Sequence, residues 1–115
     1  GRVNDSFVEW FDTGPTLVEL AGAELTHEQS AKSLLPSISD PSLVHREAAI
    51  SEYRQETMIL DDKWKMAVNE NMEPYLLIDR EQDPGETQNL AGLPEMETVE
   101  VELVGRIRER VEITG

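Results

Sequence analysis

Four short apolar runs follow one another with almost no room between them: Ala48 to Tyr53, Thr57 to Leu60, Trp64 to Val68 and Tyr75 to Asp79. Each has the length of a strand, and the gaps are far shorter than the dozen or so residues that a parallel crossover needs. An antiparallel meander is therefore the expectation. Asp61-Asp62 and the stretch from Asn69 to Pro74 supply turn chemistry between the runs. Along the third run Trp64, Met66 and Val68 alternate with Lys63, Lys65 and Ala67, which predicts one buried and one wet face. Such a sheet needs a cover. Pro94, suited to a first helical position, opens a final helix whose apolar residues Met96, Val99, Leu103, Ile107 and Val111 step by three or four. That helix is the expected lid, and the fold class is α+β. Its early acids Glu95, Glu97 and Glu100 and late Arg106, Arg108 and Arg110 match the helix dipole, and Glu102 stands one turn before Arg106.

The segment ahead of the sheet has a different grammar. From Asp12 to Gly22 there is an oxygen-bearing cap, a proline in the first turn (Pro15) and a glycine where a left-handed C-terminal residue is wanted. A short helix follows from this, with Leu17, Leu20 and Ala21 on one face and Val18 beside them. From Gly22 to Val44 periodicity is lost, and serines and prolines at 30, 33, 36, 37, 39, 41 and 42 predict a loop anchored by Leu34 and Leu35. Phe7, Trp10 and Phe11 form an apolar cluster better read as a docking surface than as a ligand platform.

The chain has 115 residues, room for one domain with a modest core. Twenty-four acids against ten Lys and Arg give a net charge of -14, spread along the chain as a solvated surface. A charge of that sign repels phosphodiester backbones, so nucleic acid is excluded as an expected partner. No apolar run approaches the roughly 18 residues of a membrane span, and no membrane partner is expected. The sequence starts at Gly1 without an export-signal pattern and reads as cut from something longer. It has no Cys, which removes disulfides, thiolate ligands and thiol nucleophiles together.

Chemistry-bearing patterns are sparse. Asp79, Glu81 and Asp83 begin like a calcium loop, but counting Asp79 as the first position puts Pro84 at the required glycine and Leu90 at the required bidentate acid. Turn architecture is the better reading, with Pro84-Gly85 at the centre of a type II turn in which Gly85 supplies the positive φ. His27 and His45 lack metal-ligand spacing and read as solvated loop histidines. Ser51 reads as a strand residue, not a nucleophile, and no nucleophile elbow, phosphate-cradling glycine loop or dinucleotide fingerprint is present. No catalytic, cofactor-binding or metal-ligating residue is assigned.

The run Leu77-Ile78-Asp79, Arg80-Glu81-Gln82, Asp83-Pro84-Gly85-Glu86, Thr87-Gln88 and Asn89-Leu90 resembles the carboxyl-terminal signature of the sulfatase family. There a Leu-Tyr-Asp strand end is followed by an acid or two, Asp-Pro-Gly-Glu, and Asn-Leu. Phe11-Asp12-Thr13-Gly14-Pro15-Thr16-Leu17 resembles that family's Asp-x-x-Pro-Thr-Leu helix, and Ser33-Leu34-Leu35-Pro36 its Ser-Leu-Leu-Pro. Ser51-Glu52-Tyr53 resembles the strand that begins its small domain, and Met58-Ile59 with Lys63-Trp64-Lys65 the next hairpin. The departures are Ile78 for Tyr, Met66 for an aromatic residue, and Ala31-Lys32 for Gly-Arg or Gly-Lys.

This resemblance implies an alkaline-phosphatase-like architecture, with residues 1–35 ending the large α/β domain, 36–44 as linker and 45–115 as the small subdomain. It implies that the chain is the carboxyl-terminal portion of a sulfatase, inactive alone, whose partner is the N-terminal catalytic domain of its parent. A formylglycine nucleophile and a calcium ion are expected in that full-length parent, and a sulfate ester is met only through it. For the rim of the substrate cleft His45 and Arg46 are the candidates, because Arg can pair with a sulfate or carboxylate; a structural role is the preferred reading of both. The tail of a phosphonate or phosphate ester hydrolase of the same superfamily, and a free-standing protein-binding module, are the alternatives. The orphan apolar face of the first helix makes a homodimer of the isolated chain, or a swap of its first 22 residues, a further expectation.

Overall fold

The computed structural model describes residues 1–114. Its four strands, β1 (Ala48–Tyr53), β2 (Glu56–Asp61), β3 (Trp64–Val68) and β4 (Pro74–Asp79), form one antiparallel sheet in chain order. Side chains close the turns as the sequence predicts. Asp61 Oδ1 accepts the backbone N–H groups of Lys63 and Trp64 at 2.9 and 2.6 Å. Asn69 Oδ1 accepts those of Asn71 and Glu73 at 2.9 and 3.1 Å, in the manner of Asx turns.

Register decides the core. Ile50, Ile59, Met66 and Leu77 are cross-strand partners in one row across all four strands, so their side chains leave the sheet on the same side. On that side lies α3 (Glu97–Thr114), entered through a 3-10 turn at Pro94–Met96 where the fixed φ and missing N–H of proline do no harm. Leu103 and Ile107 of α3 are fully buried against Ile59, Met66, Val68 and Leu77, with Met96, Val99 and Val111 around them. The expected apolar stripe is thus the buried stripe. Arg106 Nη1 meets Asp61 Oδ2 at 2.7 Å and ties the helix to the β2–β3 corner, while the expected partner Glu102 stands at 4.0 Å.

The opposite face is not wet. Its two rows are Ser51–Met58–Ala67–Leu76 and Ala49–Leu60–Lys65–Ile78, and Ala67 and Ile78 are only 4% and 3% exposed. The alternation in β3 predicted water at Ala67 because it shares a side of the strand with Lys63 and Lys65. The register instead sets this small residue between Met58 and Leu76, and Lys65 Nζ is drawn to Glu86 at 2.9 Å.

Two local expectations also change. Within the predicted loop, Leu35–Ser39 forms the five-residue helix α2, started by Pro36 in its first turn and by Ser37 Oγ donating to Leu34 O at 3.0 Å. Five residues are too few for a helical period to be read. At Asp83-Pro84-Gly85-Glu86 the turn closes through Glu86 N to Asp83 O at 3.0 Å, but the positive φ of 54° belongs to Glu86, not Gly85. The Asp83 carboxylate accepts from Thr87 N, Thr87 Oγ1 and Gln88 N, which carries the turn past the glycine. The chain then runs along the outer edge of β4: Asn89 Oδ1 accepts Leu77 N, Asn89 Nδ2 donates to Tyr75 O, and Leu90 N donates to Leu77 O.

Ile107→Ala is expected to destabilise the chain by about 2–5 kcal/mol through cavity formation. Urea unfolding checks this, with Val101→Ala on the open side of α3 (Val101 is 66% exposed) expected to change little.

Candidate functional site

The densest polar arrangement joins the segment before the sheet to the sheet and its helix. A 3-10 turn at Trp10–Asp12 runs into α1 (Thr13–Leu20), with Pro15 in its first turn and Gly22 at φ 69° just beyond it. Asp12 occupies the cap position, yet its side chain does not cap the helix. Its carboxylate turns inward, is fully buried, and accepts from four directions. Glu9 N and Lys32 N donate at 2.9 Å, Arg46 Nε at 2.8 Å with Nη2 on the other oxygen, and His45 Nε2 lies at 2.9 Å. Because the acceptor is a carboxylate, the His45 proton is on Nε2.

The arrangement extends on both sides. Arg46 Nη2 also donates to Ser30 O at 2.8 Å. Glu9, 6% exposed, accepts Ile50 N of β1 at 2.8 Å through Oε1. Its other oxygen contacts Arg110 of α3 and stands 3.6 Å from Arg46 Nη2. Thr16 Oγ1 donates to Asp12 O at 2.6 Å and accepts Leu34 N at 2.9 Å. Two carboxylates thus face two guanidiniums in a dry site, the condition under which buried charges are tolerated. Burial pushes the Asp12 carboxyl up, but the hydrogen bonds from Arg46, Lys32 N, Glu9 N and His45 outweigh it and hold it well below the usual carboxylate range. The hydrogen bond to Asp12 raises the Arg46 pKa; burial opposes this, and Glu9 adds to it.

His45 and Arg46 therefore come together, but both are turned inward onto Asp12, and the reading of His45 as a solvated histidine fails. Its side chain is 5% exposed, because the carboxylate in its path outweighs the polarity of the local sequence. His27 is exposed beside Thr26. Asp79 and Asp83 spend their carboxylates on backbone N–H groups of the turn. Among the described residues no group of three His, Cys, Asp or Glu is arranged to hold a metal ion. Glu9 and Arg110 were not legible as site residues. Glu9 is one acid among 24, and Arg110 had a sufficient explanation in the helix dipole.

Comparison with known proteins follows the same lines. A family model described as N-sulphoglucosamine sulphohydrolase, C-terminal, matches residues 1–112. The chain belongs to that family. It is a sulfatase carboxyl-terminal domain, and its solved neighbours are sulfatases. The structure of BT4656 in complex with D-glucosamine-2-N,6-O-disulfate matches with TM-score 0.69 and 21% identity, over 88% of this chain and 24% of that one. BT1596, a 2-O GAG sulfatase, matches with TM-score 0.64 and 24% identity, over 85% and 23%. A candidate sulfatase from Bacteroides thetaiotaomicron matches with TM-score 0.64 and 25% identity, over the same shares. The sulfatase domain thus spans about a quarter of the solved chains it matches. No curated protein sequence matches it.

Asp12→Asn removes the carboxylate and leaves Arg46 buried without its counter-charge, a change expected to cost about 3–5 kcal/mol. The pH dependence has a definite sign. The folded carboxyl titrates below its unfolded value of about 3.9, so its contribution is complete above that value and lost as pH falls below it. Urea unfolding across a pH series is expected to show a steeper loss on acidification below about pH 4 in the parent sequence than in Asp12→Asn.

Proposed function

We propose that this chain completes the fold of a sulfatase, a sulfuric ester hydrolase, as its carboxyl-terminal portion, and supplies none of the bond-breaking groups. The observation that carries this is the family match over residues 1–112 together with coverage of only 23–24% of the solved sulfatases. In this reading residues 1–35 end the large α/β domain, 36–44 link, and 45–115 form the small subdomain. The Asp12 cluster is then the joint between the first and third of these, since it links Glu9 and Asp12 to Arg46, Ile50 and Arg110. The exposed apolar residues before and along α1, namely Trp10 (86%), Phe11 (49%), Leu17 (65%) and Leu20 (63%), supply surface for contact with the catalytic domain. Left alone, the same surface favours self-association of the isolated chain. The formylglycine and calcium belong, in this reading, to the preceding part of the parent.

A place for His45 and Arg46 at the rim of the substrate cleft has one observation in its favour. Lys32, His45, Arg46 and Glu47 line a common cavity of about 380 Å³. Arg46 spends Nε and Nη2 on Asp12 and Ser30, so Nη1 is the group it has to offer an anionic substrate.

The test is to express the chain with and without the residues that precede it in its gene and to assay an aryl sulfate and an aryl phosphate. The 115-residue chain is expected to hydrolyse neither, and the longer chain the sulfate. Faster turnover of the phosphate would move the parent to the phosphate ester hydrolases, and activity of the short chain would sink the proposal. Lys32→Ala in the longer chain separates the two roles of the cavity. A raised KM at unchanged kcat and melting temperature is expected from a rim, and no change from a joint alone.

A further inference from the structure

We propose that the outer flank of α3 is a contact between two copies of this chain, with the two helices laid antiparallel across a two-fold axis. This goes beyond the sulfatase reading and uses neither the α1 surface nor the Asp12 joint. Glu97, Val101, Val104 and Arg108 recur at intervals of four, three and four residues, the spacing that lines one seam of a helix. The seam is distinct from the stripe of Leu103 and Ile107 that faces the sheet. Val101 is 66% exposed, and Val104 stands half-buried beside it. Met72 and Pro74, at the turn between β3 and β4, form the far wall of a groove of about 490 Å³ that runs along the seam. Exposed apolar residues rimmed by charge mark a contact site in a folded protein.

The order of charges along the seam selects the occupant. Val101 and Val104 lie symmetrically about the midpoint between Glu102 and Leu103, and Glu97 and Arg108 lie symmetrically about the same point. An isologous contact sets residue i against j and j against i. An antiparallel second α3 centred there therefore stacks Val101 on Val104 of the second copy, twice, and closes each end with Glu97 against Arg108. Both charged residues are exposed, and neither forms an ion pair among the described residues. Glu100, which also lines the groove, is engaged by Gly92 N at 2.8 Å. Gly105 is an independent pointer. A glycine inside a helix weakens it relative to alanine, and a Cβ at this position would meet nothing within 4 Å, so packing within the chain gives no reason for it. Beside the seam, the missing side chain lets a second backbone approach closely. The net charge of -14 opposes association at long range, but at physiological ionic strength exposed charges are screened beyond about 8 Å. A contact made by one helix flank is small, so the dimer is expected to be weak and concentration-dependent.

Charge reversal tests this in the 115-residue chain, with sedimentation equilibrium measured from dilute to high concentration and circular dichroism to show that each variant folds. Arg108→Glu and Glu97→Arg each set like charges at both ends of the contact, and each is expected to weaken dimerisation by about tenfold. The double variant, Glu97→Arg with Arg108→Glu, exchanges the charges and restores their complementarity. Its dissociation constant is expected to return to within about threefold of the parent sequence. Gly105→Ala is expected to raise the melting temperature of the dilute chain while weakening dimerisation, a combination that a purely internal role for the glycine would not produce. A chain that stays monomeric at every concentration would overturn the proposal. So would a double variant that dimerises no better than the single ones. Self-association that ignores the reversals and disappears in Leu17→Glu would overturn it as well, because the α1 surface would then be the contact.

Discussion

One carboxylate, that of Asp12, organises the passage from the irregular first third of the chain to its regular remainder. It holds Arg46 and His45 at the entrance to β1 while receiving the backbone of Lys32 and Glu9. Without it the helix α1, the loop around Ser30 and the first strand would share few obligatory contacts, because the apolar side chains of α1 point outward at Leu17 and Leu20. The geometry is overdetermined: each oxygen has a guanidinium nitrogen and a backbone N–H. Such satisfaction is the condition under which a buried ion pair avoids being a net liability. It also specifies one arrangement of the segment, which greasy contacts alone would leave loosely defined.

The regular part of the fold was legible because periodicity reports on it directly. The strands came out close to their expected limits, and Leu103 and Ile107 are the centre of the stripe whose spacing announced the final helix. What escaped were features that periodicity does not encode. The helix α2 is shorter than two turns. The left-handed residue of the Asp83–Glu86 turn is Glu86 because Asp83 keeps accepting hydrogen bonds beyond Gly85. The role of Asp12 was hidden by an adequate local explanation, helix capping, when its partners other than Glu9 N lie 20 to 34 residues away. His45 was read as solvated for the same reason: its neighbours in sequence are polar, but its neighbour in space is a buried carboxylate. The burial of Ala67 follows from register, which the alternation of one strand does not contain.

Family membership and fold agree, and they bear differently on function. The family assigns the chain to sulfatase carboxyl-terminal domains. The fold shows what the stretches that resemble family signatures do in this chain. The Asp-x-x-Pro-Thr stretch supplies Asp12 and Thr16 to the joint, the Ser-Leu-Leu-Pro stretch brings Leu34 N to Thr16, and the strand-and-turn stretch finishes the sheet. Each signature is a device for shape.

The stitching of Asn89 and Leu90 along β4 has a further meaning. The last strand of a meander exposes a ladder of unpaired amides and carbonyls that invites a neighbouring molecule to continue it. Here a single carboxamide occupies both an N–H and a C=O of that ladder, at Leu77 and Tyr75, before the chain turns away toward Pro94. The signature that most clearly marks the family is therefore also a guard against fibre-like growth. That edge is closed at one rung because an asparagine imitates, for one residue, the strand that is not there.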